Sequence, residues 1–252
     1  MTTRVSPTAL ITGAGRGIGA ATARHLAGQG YRLCLNFRQR SEPAEALCRE
    51  LTELGSEVLL VQADVSLEAD VERLFREVDD RFGGLTALVN NVGIVQTQMR
   101  VEDMSAERLN RMFTTNVTSA FLCCREAVRR MSTRHGGPGG AIVNVSSAAA
   151  RLGSPNEYVD YAASKAAMDA LTRGLAIEVA EEGIRVNTVR PGIIDTEIHA
   201  DGGEPDRIRR VEKGVPMKRG GRPEEVTASI AWLLSDDAGY VSGAFLDVAG
   251  GR

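Results

Sequence analysis

Tyr161 and Lys165 stand four residues apart in Tyr-Ala-Ala-Ser-Lys, and the 252-residue chain contains only two other lysines. A phenol with a reference pKa of about 10 is a poor proton-transfer group at neutral pH. An ammonium fixed one helical turn away favours the phenolate, so this pair has the makings of a tuned acid–base. Upstream, Asn144-Val145-Ser146-Ser147 closes an apolar run and sets a hydroxyl, from Ser146 or Ser147, beyond the end of a strand. A second tyrosine, Tyr158, precedes Tyr161 by three positions, but the residue at the matching offset from it is Ala162, which cannot tune a phenol.

A second constellation is Thr12-Gly13-Ala14-Gly15-Arg16-Gly17-Ile18-Gly19. It follows a strand-like run and opens a helix, where glycines let the backbone approach a pyrophosphate seated on the positive helix end. The position that supplies a carboxylate to the ribose of NAD lies about twenty residues on. Here that stretch reads Asn36-Phe37-Arg38-Gln39-Arg40, with no acid. Arg38, together with Arg16, offers permanently charged planar donors suited to a phosphate, so the expected cofactor is NADP, not NAD.

The elements that must position these groups are short apolar strands alternating with helices. Candidate strands are Thr8–Thr12, Arg32–Phe37, Glu57–Ala63, Ala87–Asn90, Ala141–Val145, Ile184–Val189 and Ala244–Val248. Near-continuous apolar strands separated by helices predict an α/β fold, a doubly wound and mainly parallel sheet of seven strands with helices on both faces. Leu109, Met112, Phe113, Val117, Ala120, Phe121, Cys124 and Val128 predict one helix with one buried stripe. Asn116 sits on that stripe, and a buried amide must find partners. A further helix from about Glu157 to Glu181 carries Tyr161 and Lys165 on one face. Between Pro191 and Pro223 the patterning fails and the stretch reads as loop or lid.

Composition is that of a soluble globular protein: 43% hydrophobic, 25% charged and a formal charge of −3, which excludes a nucleic-acid partner. No apolar run reaches the length of a membrane helix, and the first strand begins too early to leave room for a signal peptide, so a cytoplasmic protein is expected. Cys34, Cys48, Cys123 and Cys124 lack CxxC spacing and read as free thiols. His25, His135 and His199 lie far apart, and no metal site is expected.

With these pieces in order, the chain resembles the short-chain dehydrogenase/reductase family, in its branch of about 250 residues. The resemblance runs through Thr12–Gly19, Asp64-Val65, Asn90-Asn91-Val92-Gly93, Asn116, Ser147, Tyr161–Lys165, Pro191-Gly192 through Thr196, and Gly243, Asp247 and Gly250-Gly251. It implies a Rossmann-type domain over 1–252 with a substrate loop at 195–222. It implies cofactor contacts from Gly13, Gly15, Arg16, Gly17, Ile18, Gly19, Asn36 and Arg38. Asp64 and Val65 would flank adenine, with Asn90, Asn91 and Gly93 on the adenosine side. Pro191, Gly192, Ile194 and Thr196 would lie toward the nicotinamide, and Tyr161 and Lys165 would touch both cofactor and substrate. By the same resemblance Asn116, Ser147, Tyr161 and Lys165 form the catalytic set, Asn116 supporting a water behind Lys165.

The activity implied is NADP(H)-dependent hydride transfer to or from a small carbonyl or alcohol, in a homotetramer built as a dimer of dimers. Overall the chain looks like bacterial members related to sugar dehydrogenases. Two alternatives are a 3-oxoacyl-(acyl-carrier-protein) reductase and a non-catalytic NADP-sensing regulator. Glu178, Glu181 and Glu182 would repel an acidic carrier protein, and a sensor would have no need of Ser147, Tyr161 and Lys165 together. Two departures from the family pattern stand out: Val92 in place of alanine, and fourteen residues from Ser147 to Tyr161, one more than usual.

Overall fold

Leucine-, valine- and isoleucine-rich runs with little polar interruption can only be strands covered on both sides, and all seven expected strands form. The computed structural model describes residues 6–252. In chain order they are β1 (Thr8–Ile11), β2 (Arg32–Phe37), β3 (Val58–Gln62), β4 (Ala87–Asn90), β5 (Gly140–Val145), β6 (Ile184–Pro191) and β7 (Phe245–Val248). They build one sheet in the order β3-β2-β1-β4-β5-β6-β7, and every pairing is parallel. The fold is therefore a doubly wound α/β sheet of the Rossmann type.

Alternate residues of each strand enter opposite cores. Leu10, Cys34, Leu88 and Ile142 pack on one face, under α3 (Glu68–Phe82), α5 (Ser119–Met131) and α7 (Val159–Glu178). Ala9, Ile11, Leu33, Leu35 and Val143 pack on the other, under α1 (Gly17–Gly28), α2 (Ser41–Glu53) and α10 (Pro223–Leu234). The chain crosses from one half of the sheet to the other between β1 and β4, so the loops leaving these neighbours diverge. A crevice opens there at the carboxyl ends of the strands. All four cysteines are free, and among the described residues no helix is long and apolar enough to cross a membrane.

The stripe from Leu109 to Val128 departs from expectation. It is not one continuous helix but α4 (Ala106–Phe113), a five-residue π turn at Thr114–Thr118, and α5. Met112, Ala120 and Cys124 are buried, whereas Leu109, Phe113 and Phe121 are exposed. The extra residue of a π turn shifts the helical register, and here it turns Asn116 fully inward. The segment after Pro191 also holds more structure than its composition suggested: α8 (Ile198–Asp201) and α9 (Arg207–Val211) are short helices within it. A further short helix, α6 (Ala149–Leu152), follows β5.

Candidate active site

A cleft of about 1240 Å³ runs across the carboxyl ends of β1, β2, β4, β5 and β6. From the β1 and β2 ends come Gly13, Gly15, Arg16, Gly17, Ile18, Asn36 and Arg38, and from beyond β3 Asp64 and Val65. Asn91 and Gly93 follow β4, Ser147 follows β5, and Pro191, Gly192, Ile194 and Thr196 come from the end of β6 and beyond; Tyr161 and Lys165 face the cleft from α7.

Gly13 and Gly17 adopt φ of +63° and +52°, conformations that side chains rarely tolerate, so the turn into α1 depends on glycine there. Asn36 and Asn91 hold that turn from either side. Asn36 Oδ1 accepts from the Gly13 amide at 3.3 Å, and Asn91 Nδ2 donates to the Thr12 and Gly13 carbonyls at 3.0 Å. Gly19, expected at the cofactor, does not line the cleft. A Cβ there would meet the Gly13 carbonyl oxygen at 2.5 Å, so its role is to let α1 approach the loop. Asn90, also expected at the cofactor, does not line the cleft: it is buried, and its Nδ2 donates to Asn144 Oδ1 at 2.9 Å and to Cys124 Sγ at 3.2 Å.

The chemistry-bearing side chains meet where β5 faces α7. Ser146 and Ser147 both border the cleft but differ in partners: Ser146 is buried and its hydroxyl donates to the Lys165 carbonyl oxygen at 3.0 Å, while Ser147 is less buried and hydrogen-bonds the Tyr161 side chain. Lys165 Nζ donates to the Val145 carbonyl at 2.8 Å and lies 5.8 Å from the centre of the Tyr161 ring. Burial lowers the Lys165 ammonium to about 8, against the opposing pull of Asp169. Burial also raises the Tyr161 phenol, outweighing the Ser147 hydrogen bond that lowers it. The expected lowering by Lys165 is not what the structure shows, because the ammonium is committed to the Val145 carbonyl and lies over the ring, not against the phenol oxygen. At neutral pH the phenol therefore holds its proton.

Asn116 does not reach the cleft, and it answers the demand that a buried amide be satisfied. Its Oδ1 accepts from the Ile94 amide at 2.8 Å, and its Nδ2 donates to the Ile94 carbonyl, Ser164 Oγ and Met112 Sδ, each at 3.0 Å. It thereby ties the chain after β4 to the turn of α7 that carries Tyr161. Gly93 lies between: a Cβ there would approach Lys165 Nζ to 3.1 Å.

In the turn before Tyr161, Ser154 and Asn156 adopt φ of +44° and +61°. Tyr158 is not part of the helix but caps it, buried under the Arg207 guanidinium at 4.8 Å. Arg207 and Arg210 of α9 reach Glu157 at 2.5 and 2.7 Å, and with Glu204 they lock the substrate-side loop onto the turn before α7; these guanidiniums hold the Glu204 carboxyl down at about 2. His199, to which the sequence assigned no role, lines the cleft and donates Nε2–H to the Ile194 carbonyl at 3.0 Å.

Two further charges had no signal in the sequence because their partners are remote in it: Asp201, which reaches Arg16 and Arg40, and Asp160, paired with Arg108.

The matches to known proteins agree with this geometry. A family described as enoyl-(acyl carrier protein) reductase matches residues 13–252. An uncharacterized oxidoreductase of Escherichia coli, YgfF, is 57% identical over 97% of this chain and 99% of its own length. The 3beta-hydroxysteroid dehydrogenase 1 of Eggerthella lenta is 39% identical over 97% of this chain and 92% of its own. A crystal structure of a short-chain type dehydrogenase/reductase from Mycobacterium marinum superposes with a TM-score of 0.91 at 33% identity, covering 98% of this chain and 96% of that one. The chain belongs to the short-chain dehydrogenase/reductase family of oxidoreductases, whose members use a nicotinamide cofactor.

Proposed function

We propose that the protein is an NADP(H)-dependent oxidoreductase that interconverts a small carbonyl compound and its alcohol, with Tyr161 as the acid–base. The observation that carries this reading is the meeting of Ser147, Tyr161 and Lys165 in one cleft with the glycine turn. The residues fit a dinucleotide: Gly13 and Gly17 supply the positive φ that the turn into α1 needs, and Arg16 keeps a buried Nη1 with no hydrogen-bond partner. Gly13, Gly15, Gly17 and Ile18 would hold the pyrophosphate, Asp64 and Val65 the adenine, and Ile194 and Thr196 the nicotinamide end. Arg16 and Arg38 would take a ribose 2′-phosphate, for which a planar cation is suited and a carboxylate is not. When bound, NADP(H) supplies the hydride donor or acceptor.

The chain's own groups handle the proton. In reduction Tyr161, protonated at neutral pH, gives its Oη proton to the substrate oxygen, and Ser147 Oγ hydrogen-bonds that oxygen and orients it. Lys165, held by the Val145 carbonyl and lying over the Tyr161 ring, would offer its remaining N–H groups to ribose hydroxyls. Asn116 holds the Ile94 and Ser164 ends of this arrangement in register. Oxidation runs the same steps backward.

The test is a screen of the purified protein, with NADPH and NADH in parallel, against aldehydes, ketones, sugars and acyl thioesters. Turnover should appear with NADPH. Tyr161→Phe should lose about 100-fold or more in turnover while keeping its NADPH affinity, whereas Tyr158→Phe, which only lines the pocket, should act on KM. Equal use of both cofactors, or an active Tyr161→Phe variant, overturns the corresponding half of the proposal.

A further inference from the structure

Asp201 ends α8, 185 residues along the chain from Arg16, yet its two carboxylate oxygens are divided between Arg16 of the glycine turn and Arg40 between β2 and α2. Oδ2 accepts from Arg16 Nη2, and Oδ1 accepts from Arg40 Nη2 at 2.9 Å. The third arginine of the cluster, Arg38, leans on Asp64 at 3.3 Å. The loop reaches this far because it folds back over the cleft. Thr196 packs so closely on the turn that a Cβ at Gly17 would lie 3.2 Å from its Cγ2, and the Asp201 amide donates to the Glu197 carbonyl at 3.0 Å.

We propose that Asp201 is a built-in rival of the ribose 2′-phosphate: its carboxylate holds Arg16, which together with Arg38 would receive that phosphate, and a 2′-phosphorylated adenosine must displace it from Arg16. The inference rests on the reading that Arg16 and Arg38 receive the 2′-phosphate. A carboxylate and a phosphate dianion cannot both sit on the Arg16 guanidinium without like-charge repulsion. The phosphate brings more charge and more acceptor oxygens, so it wins. The displaced pair is partly exposed to solvent, and such a pair is worth no more than about a factor of five in an equilibrium constant. The rivalry is therefore a modest tax on NADPH, and NADH, with a neutral hydroxyl at that position, does not pay it. Asp201 thus moderates the cofactor preference that Arg16 and Arg38 create.

Asp201→Asn keeps the shape and removes the charge. By fluorescence titration its Kd for NADPH should fall about threefold to fivefold, with the Kd for NADH changed less than twofold. The same contrast should hold for adenosine 2′,5′-bisphosphate against 5′-AMP, which removes nicotinamide and catalysis from the measurement. An unchanged or weakened NADPH affinity in Asp201→Asn overturns the rivalry and makes Asp201 a bystander or a clamp. If the parent binds the bisphosphate no better than 5′-AMP, the placement of the 2′-phosphate itself is wrong and this inference falls with it; a parental preference that Asp201→Asn leaves unchanged removes the inference alone.

Discussion

Lys165 is the buried charge on which the site turns, and burial carries a cost that depends on pH. Its ammonium is lowered to about 8 in the folded chain, from an ordinary value near 10.5. Between these two pH values the unfolded chain binds a proton that the folded chain has released, so stability rises with pH across that window. The penalty for the charged form is complete below about pH 8. A Lys165→Met variant lacks it, and also leaves the Val145 carbonyl without its donor at every pH. Urea denaturation of the cofactor-free protein should therefore show the parent gaining stability relative to Lys165→Met between pH 7 and pH 9.5. A pH-independent difference would mean that Lys165 folds in without its charge being disfavoured. Above about pH 10 the raised phenol of Tyr161 acts in the opposite sense, because the unfolded chain then loses the proton first.

Two elements, α4 and α7, set the orientation of Tyr161 through a buried ion pair. Arg108 Nε donates to Asp160 Oδ2 at 2.8 Å, Arg108 Nη1 donates to the Thr97 carbonyl at 2.8 Å, and Asp160 Oδ1 accepts from the Tyr161 amide at 2.9 Å. Both side chains are buried. Such a pair adds little net stability over apolar packing, but removing one partner strands the other charge away from water. Arg108→Met should cost about 3–5 kcal/mol in unfolding free energy. Adding Asp160→Asn, which removes the stranded charge and still accepts from the Tyr161 amide, should recover most of that loss. Denaturant midpoints of the two single variants and the double variant check this, and additive losses would show that the two side chains act independently.

At the scale of the whole molecule, α4, the π turn and α5 leave Leu109, Phe113 and Phe121 on the surface, with Phe121 half exposed. Phe121 borders a groove between α5 and α7 lined by Val128, Ala170, Leu171 and Gly174, whose small residues would let another helix approach closely. An apolar face of this kind suits a two-fold partner of the same chain, with the terminal strand completing a tetramer. Light scattering at micromolar concentration should give a mass of two or four chains. Phe121→Glu should shift it toward one chain, and a monomeric parent would contradict the assembly.

The alternation of apolar strands with helices made the α/β class, the parallel sheet and the place of every strand legible without coordinates, each boundary to within about two residues, because burial on both faces leaves a strand little freedom in composition. The glycine turn and the Tyr161–Lys165 spacing were legible for the same local reason: each works within one turn of backbone. The tertiary structure decided what depends on distant partners. It separated Ser147 from Ser146 by burying one of them, moved Asn90 and Gly19 out of the cleft, and split the expected single helix with a π turn that carries Asn116 inward. It also brought Asp201 to Arg16 and Asp160 to Arg108. A charge announces its presence in a sequence but not its partner, since electrostatic pairing follows separation in space, and that separation is set only when the sheet and its helices have packed.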